Sequence, residues 1–203
     1  MIGFYDYTVV LTYGGLLLSL MGILQAMNGA FIPALLCMGG ALVCDTLDGK
    51  VARSKRNRTR QESLFGVQID SLCDVISFGV FPGVMCYCLG LRNWYDLLAI
   101  GFYCLCCVIR LGYFNVLATE AEPGAKAVFH GLPVVFFAVL FPAVYMTHLW
   151  LPEPAFMWVL RLMVLVMGIL YILDFQLKKP RIWLLLVLAA IFWGPMAVIC
   201  LQR

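Results

Sequence analysis

Long apolar runs separated by short polar segments make up almost the whole chain. A helix that crosses a bilayer needs about 20 apolar residues. Seven segments meet that requirement, and they lie near residues 8–27, 31–52, 65–91, 95–118, 132–150, 155–175 and 182–201. Polar or proline-containing breaks, such as 120–124 and 178–181, separate these runs as loops do. The pattern therefore predicts a polytopic bundle of membrane-spanning helices.

Composition supports this class and excludes an ordinary soluble domain. Of the 203 residues, 64% are hydrophobic and only 12% are charged, whereas soluble domains are about 45–50% apolar and about 25% charged. Nearly all of the chain is needed for the spans, so we expect a single all-α integral membrane domain over residues 1–203. The first residues contain neither a basic region nor a cleavage site, which predicts that no signal peptide is removed.

The placement of charge predicts how the helices cross the membrane. The net charge is only +3, but the basic residues gather in two short segments. These are Lys50, Arg53, Lys55, Arg56, Arg58 and Arg60, and then Lys178, Lys179 and Arg181. Basic loops stay on the cytoplasmic side, so both segments predict cytoplasmic loops, an inside N-terminus and an outside C-terminus. Neither segment suggests a nucleic-acid partner.

Four aspartates interrupt the second and third apolar runs: Asp45, Asp48, Asp70 and Asp74. A carboxylate at membrane depth is costly, so it indicates a functional site. Asp45 and Asp48 are three residues apart, and Asp70 and Asp74 are four apart, so each pair shares one helix face. The spacing predicts two neighbouring helices that present their carboxylates toward a common point near the cytoplasmic face.

This arrangement suits divalent cations and an anionic ligand. Four clustered carboxylates repel one another, and such oxygen-rich sites bind hard cations such as Mg²⁺, Mn²⁺ or Ca²⁺. Two ions could bind a diphosphate and stabilise charge as a P–O bond breaks. A carboxylate left partly free could act as a general base. Gly49, Ala52 and Gly66 leave room on the same faces, and Arg53 could reach a phosphate oxygen.

The pattern Asp45-x-x-Asp48-Gly49-x-x-Ala52-Arg53, followed by Gly66-x-x-x-Asp70-x-x-x-Asp74, resembles the signature of the CDP-alcohol phosphatidyltransferase family. Within this family, the segments 65–82, 109–116 and 130–133 are most similar to the phosphatidylserine synthases, the branch that uses serine. The resemblance covers roughly residues 8–150.

The resemblance implies a fold and a reaction. The fold would be a six-span helical core at about 8–175 with an additional C-terminal span at about 182–201, usually a homodimer, in the cytoplasmic membrane. The enzyme would use CDP-diacylglycerol and L-serine, with two divalent cations, Mg²⁺ or Mn²⁺, and would release CMP and phosphatidylserine. Its site would open at the cytoplasmic face.

The resemblance also implies roles for individual residues. Asp45, Asp48 and Asp70 would bind metal, and Asp74 would complete the metal site and serve as the general base. The CDP pocket would be lined by Gly49, Ala52, Arg53 and Gly66. The acceptor would be bound by Arg110 and Asn115 on the fourth span.

Two other functions remain open at this stage. A sibling transferase would use glycerol 3-phosphate, inositol or inositol phosphate, and the basic cluster could bind the phosphate. Tyr113, which stands where the serine branch commonly has a second arginine, keeps this alternative open. A divalent-cation transporter would also carry acids in its spans, but it needs polar residues along the whole depth. Here the acids gather at one end.

Overall fold

A computed structural model describes residues 3–4, 7–55, 57, 59–120 and 129–177, with main chain alone at 53, 120, 129–130 and 176–177. Its α-helices are α1 Val10–Met27, α2 Phe31–Ser54, α3 Arg60–Asp74, α4 Phe81–Cys88, α5 Trp94–Glu120, α6 Phe136–Met146 and α7 Glu153–Ile172. A π-helical segment, Val75–Val80, joins α3 to α4, and 3₁₀ turns lie at Tyr7–Val9 and Thr147–Leu149. Phe129–His130 (β1) and Gln176–Leu177 (β2) form a short antiparallel pair.

Within the described residues, five helical stretches are long and apolar enough to cross a membrane. They are Tyr7–Met27, Phe31–Ala52, Arg60–Cys88, Trp94–Thr119 and Glu153–Ile172. The prediction of an all-α polytopic membrane protein is confirmed. The span predicted at 182–201 lies outside the described residues, so that additional span and the extent of a single domain remain predictions.

The third span starts earlier than its hydrophobicity indicates, at Arg60 rather than residue 65. A capping box explains the start: the main-chain N–H of Glu62 donates to Thr59 Oγ1 at 3.2 Å, and the N–H of Thr59 donates to Glu62 Oε2 at 2.8 Å. Lys55 adds an ion pair with Glu62 at 2.9 Å. Because these contacts satisfy main-chain groups at the helix start, the helix can begin in the polar loop.

The fifth predicted span, 132–150, is the least accurate of the six that can be compared. Its α-helix begins only at Phe136, and Phe136–Leu149 is shorter than the other apolar helices. Gly131 has a φ of +70°, and Pro133 has no main-chain N–H to donate. Both features oppose helix before residue 136, although the sequence there is apolar.

The helices pack closely against one another. The helix α1 packs along α2 and also contacts α3 and α4, while α5 packs along α7. Gly22 permits the contact of α1 with α4, because a Cβ there would lie 2.3 Å from the Phe81 ring and 2.9 Å from Cys37 Cβ. The core contains aromatic side chains such as Tyr103 and Phe137, both fully buried.

Candidate functional site

Three of the four predicted aspartates meet at one point. Asp45 lies on α2, and Asp70 and Asp74 lie one turn apart on α3. Each contributes a carboxylate oxygen, and these oxygens lie within 4.8 Å of one another. All three side chains are partly buried. We call these three residues the acidic triad.

The fourth aspartate, Asp48, lies beside the triad and turns toward α1. Its side chain is 7% exposed and accepts a hydrogen bond from Thr12 Oγ1 at 3.0 Å. It lines a cavity together with Asp70. Thr12 was not predicted from the sequence, because its contact joins two helices whose relative rotation the sequence pattern does not define. Metal binding by Asp48 remains a prediction.

A cavity of about 230 Å³ opens next to Asp48. It is lined by Thr8, Val9, Thr12, Asp48, Gly49, Ala52, Gly66, Val67 and Asp70. The small residues predicted to leave room for a ligand, Gly49, Ala52 and Gly66, thus border open space beside two of the acids. The side chain of Arg53, which was predicted to join them, lies outside what the structure describes.

A second cavity, of about 180 Å³, reaches the triad from the other side. Its lining includes all three triad residues and Arg110 of α5. Arg110 is 8% exposed, and its guanidinium donates hydrogen bonds to the carbonyls of Leu132 and Gly131. Within the described part of the chain, no carboxylate lies within ion-pair distance of Arg110. A buried positive charge therefore faces the space beside the triad.

Asn115, the other predicted acceptor-binding residue, holds α5 against α3. Its Oδ1 accepts a hydrogen bond from Ser71 Oγ at 2.7 Å, and its Nδ2 donates to Gln68 Oε1 at 3.3 Å. Ser71 follows Asp70 directly and lines the same cavity as the triad. The structure therefore places Asn115 next to the site, where its amide contacts α3.

The triad has the chemistry of a site for hard divalent cations. No Lys, Arg or His among the described residues forms an ion pair with Asp45, Asp70 or Asp74. Carboxylates that share one point without a basic partner repel each other. Oxygen donors of this kind are the ligands that Mg²⁺ and Mn²⁺ prefer. The acidic cluster is therefore compatible with a divalent cation.

A fifth aspartate inside a span, Asp96 of α5, was missed by sequence reasoning. It is fully buried and accepts hydrogen bonds from Arg161 Nε at 2.6 Å and Nη2 at 3.3 Å. Asn93 adds two further donors, its main-chain N–H and its Nδ2. The sequence did contain a signal, since an acid and a base in two apolar spans can pair.

Comparison with known proteins places this site in context. Residues 8–191 match the family model described as CDP-alcohol phosphatidyltransferase. This match includes the acidic triad, Asp48 and Arg110. No solved structure gives a significant match to the chain.

Similar curated proteins carry names that mention serine. A CDP-diacylglycerol–serine O-phosphatidyltransferase of Saccharomyces cerevisiae is 40% identical over 94 residues, covering 44% of this chain and 33% of the yeast protein. An archaetidylserine synthase of Methanothermobacter thermautotrophicus is 38% identical over 128 residues, covering 63% of this chain and 52% of that protein.

A third relative matches over a similar region. A CDP-diacylglycerol–serine O-phosphatidyltransferase of Helicobacter pylori is 32% identical over 138 residues, covering 67% of this chain and 55% of that protein. The chain therefore spans between a third and just over half of the length of these relatives.

Proposed function

The chain belongs to the CDP-alcohol phosphatidyltransferase family, and from this premise we propose that it is an integral membrane enzyme that makes phosphatidylserine. It transfers the phosphatidyl group of CDP-diacylglycerol to the hydroxyl of L-serine and releases CMP. The observation that carries this proposal is the meeting of three carboxylates within 4.8 Å, beside the buried Arg110. The names of the similar curated proteins support serine as the acceptor.

The residues of the site fit divalent cations. We propose two ions, Mg²⁺ or Mn²⁺, held by the acidic triad together with Asp48. When bound, such ions neutralise the diphosphate of the substrate and stabilise the charge that develops on the leaving CMP. The absence of basic partners for the triad among the described residues supports this proposal, because the negative charges then require another neutralising group.

Asp74 is the general base in this proposal. Its carboxylate accepts the proton of the serine hydroxyl, whose oxygen attacks the β-phosphorus of CDP-diacylglycerol. A new O–P bond forms, the bond from that phosphorus to the bridging oxygen breaks, and CMP leaves with the electron pair. A base that acts through such a proton transfer contributes about 10²–10⁴ in rate.

The two cavities beside the triad separate the two substrates. In this proposal the cavity bordered by Gly49, Ala52 and Gly66 accepts the CDP group, and Arg53 is assigned to its phosphates from the family signature alone. Small residues support this assignment, because they let the nucleotide and diphosphate approach the helix backbones closely. The cavity that contains Arg110 accepts serine.

Arg110 binds the carboxylate of serine in this proposal. It is the one basic residue among the described residues that line this cavity. A single buried guanidinium suits one carboxylate, whereas an acceptor that carries a phosphate brings more negative charge and needs more basic groups. Asn115 keeps α5 in register with α3, so that the acceptor and the triad face each other.

We further propose that the site opens at the cytoplasmic face and that the protein forms a homodimer. The basic cluster, which runs from the last turn of α2 to the start of α3, supports the orientation, since basic loops remain in the cytoplasm and lie near anionic lipid headgroups. The homodimer rests on the family alone.

The decisive experiment measures CMP release by the purified protein from CDP-diacylglycerol with Mn²⁺. Serine, glycerol 3-phosphate, inositol and inositol phosphate are supplied in turn as acceptors. The proposal expects CMP release with serine and formation of phosphatidylserine. Release with another acceptor but never with serine would show a sibling transferase. Uptake of Mn²⁺ into protein-containing liposomes, without CMP chemistry, would show a transporter.

A further inference from the structure

The π-helical segment Val75–Val80 begins directly after Asp74. Such segments are rare, and they occur frequently at functional sites. Two of its residues, Ser77 and Phe78, line a small space beneath the carboxylates together with Asp45, Asp48 and Asp74. The segment therefore forms the floor of the acidic site, and its geometry affects where the Asp74 carboxylate lies.

Pro82 gives a sequence reason for this irregular segment. In an α-helix the carbonyl of Phe78 would accept a hydrogen bond from the residue four positions later, which is Pro82. Proline has no N–H, and its ring clashes with that carbonyl. An α-helical hydrogen bond from residue 82 to the Phe78 carbonyl is therefore impossible, and Phe78 itself is fully buried.

Tyr103 of α5 donates a hydrogen bond to this carbonyl. Its hydroxyl donates to the Phe78 carbonyl at 2.5 Å, and the side chain is fully buried. Rings of Phe137 and Tyr171 lie 4.9 Å and 5.6 Å from the Tyr103 ring, centroid to centroid, so the donor is held in place. On the opposite side of the segment, Ser19 Oγ donates to Ser77 Oγ at 2.7 Å.

We infer that Tyr103 is a positioning residue for the metal site, acting through the Phe78 carbonyl on Asp74. The inference rests on the proposed function, because it assumes that Asp74 binds a divalent cation. Without the Tyr103 hydroxyl, the Phe78 carbonyl loses its hydrogen bond from α5, and Asp74 loses its defined position relative to Asp45 and Asp70. Residues that orient metal ligands typically change metal affinity about 10–100-fold when they are replaced.

The test measures Mn²⁺ binding to the purified full-length protein without substrates, from the electron paramagnetic resonance signal of free Mn²⁺. Tyr103→Phe is expected to weaken this binding about tenfold, with an unchanged KM for serine. Tyr87→Phe is the matched control, because it removes a phenol hydroxyl from an exposed position on α4, in the neighbouring span. It is expected to bind Mn²⁺ as the wild type does.

A second variant tests whether Tyr103 acts through the Phe78 carbonyl. Pro82→Ala restores the N–H that pairs with the Phe78 carbonyl when this turn becomes α-helical, so Tyr103→Phe should weaken Mn²⁺ binding less in the Pro82→Ala background than in the wild type. An equal loss in both backgrounds overturns the inference. Unchanged Mn²⁺ binding in Tyr103→Phe also overturns the inference. Failure of Tyr103→Phe to fold, when Tyr87→Phe folds, overturns it as well. If the wild type binds no Mn²⁺ and releases no CMP with serine, the proposed function itself fails.

Discussion

The acidic triad and the Asp96–Arg161 pair are both groups of charged side chains inside apolar spans, but their surroundings differ. Asp96 has a guanidinium at 2.6 Å and two donors from Asn93, and the Arg161 guanidinium also lies over the rings of Tyr95 and Trp158. In the described part of the chain, the triad carboxylates have no basic partner, and they face cavities.

The difference separates a structural role from a functional one. The Asp96 carboxylate is neutralised by a guanidinium and needs no further ligand, and the pair holds α5 against α7. Carboxylates that meet without a cation destabilise the empty fold through mutual repulsion. A bound cation would relieve this repulsion, so the unpartnered carboxylates indicate a ligand site. Burial of an acid in a membrane helix is therefore a weaker indication of function than the absence of an internal partner.

The largest expected effect comes from removing the proposed general base. Asp74→Asn should lower serine-dependent CMP release about a thousandfold, because an amide cannot accept the proton of the hydroxyl. The variant should still fold, since it removes one charge from a repelling group. CMP release measures the loss of activity, and thermal unfolding of the same preparation checks that the variant is folded. Glu153→Gln, at an exposed position at the start of α7, is the control.

Addition of Mn²⁺ sharpens the comparison by measuring stability instead of activity. A cation that binds only the folded protein stabilises it by about 2.7 kcal/mol at a hundredfold excess over Kd. Thermal unfolding should shift upward in the wild type and in Asp96→Asn, each relative to its own metal-free sample. Asp70→Asn should lose most of the shift. An equal shift in Asp70→Asn would place the cation away from the triad.

The Asp96–Arg161 pair should respond in the opposite way. Asp96→Asn is expected to lower the free energy of unfolding by about 2 kcal/mol, the usual contribution of a hydrogen bond to a charged group. CMP release per folded molecule should not change. Adding Arg161→Gln to that variant should cost little more, because the pair is already broken. A loss of CMP release in folded Asp96→Asn would contradict the purely structural role.

The smallest expected effect is at Arg110, which lines a cavity with the triad and shares α5 with Asp96. Arg110→Lys keeps the charge but loses the planar group that donates to two carbonyls. The KM for serine should rise about tenfold, equivalent to about 1.4 kcal/mol, while Mn²⁺ binding stays as in the wild type. Initial rates at varied serine concentration measure the KM, and titration with Mn²⁺ measures metal binding. Unchanged KM would exclude Arg110 from the acceptor site.

Much of the candidate site could be predicted because its signals are local. The three- and four-residue spacings of the aspartates define a face on each helix, and the nearby small residues follow the same faces. The Asp48–Thr12 hydrogen bond could not be predicted in this way. Its two residues are far apart in sequence, and the contact depends on how α1 is rotated against α2.

In the fold, too, features with local sequence signals could be predicted and features that depend on helix packing could not. Hydrophobic length located the long helices, but it overestimated the helix at 132–150, where the apolar character of the residues outweighed the signals from Gly131 and Pro133. The early start of α3 had its own signal, the Thr59-x-x-Glu62 capping box. Pro82 also marked a break, yet its consequence for Phe78 required the position of Tyr103 on another helix.

By itself, the sequence determined the class of protein, the approximate spans and the carboxylates of the candidate site, because length, hydropathy and helical spacing are properties of neighbouring residues. Only the tertiary structure decided that Asp45, Asp70 and Asp74 meet while Asp48 turns to Thr12, and that Asp96 is neutralised. The reason is helix packing. Close contacts such as that of Gly22 with Phe81 set the rotation and separation of the helices, and no local pattern encodes those quantities.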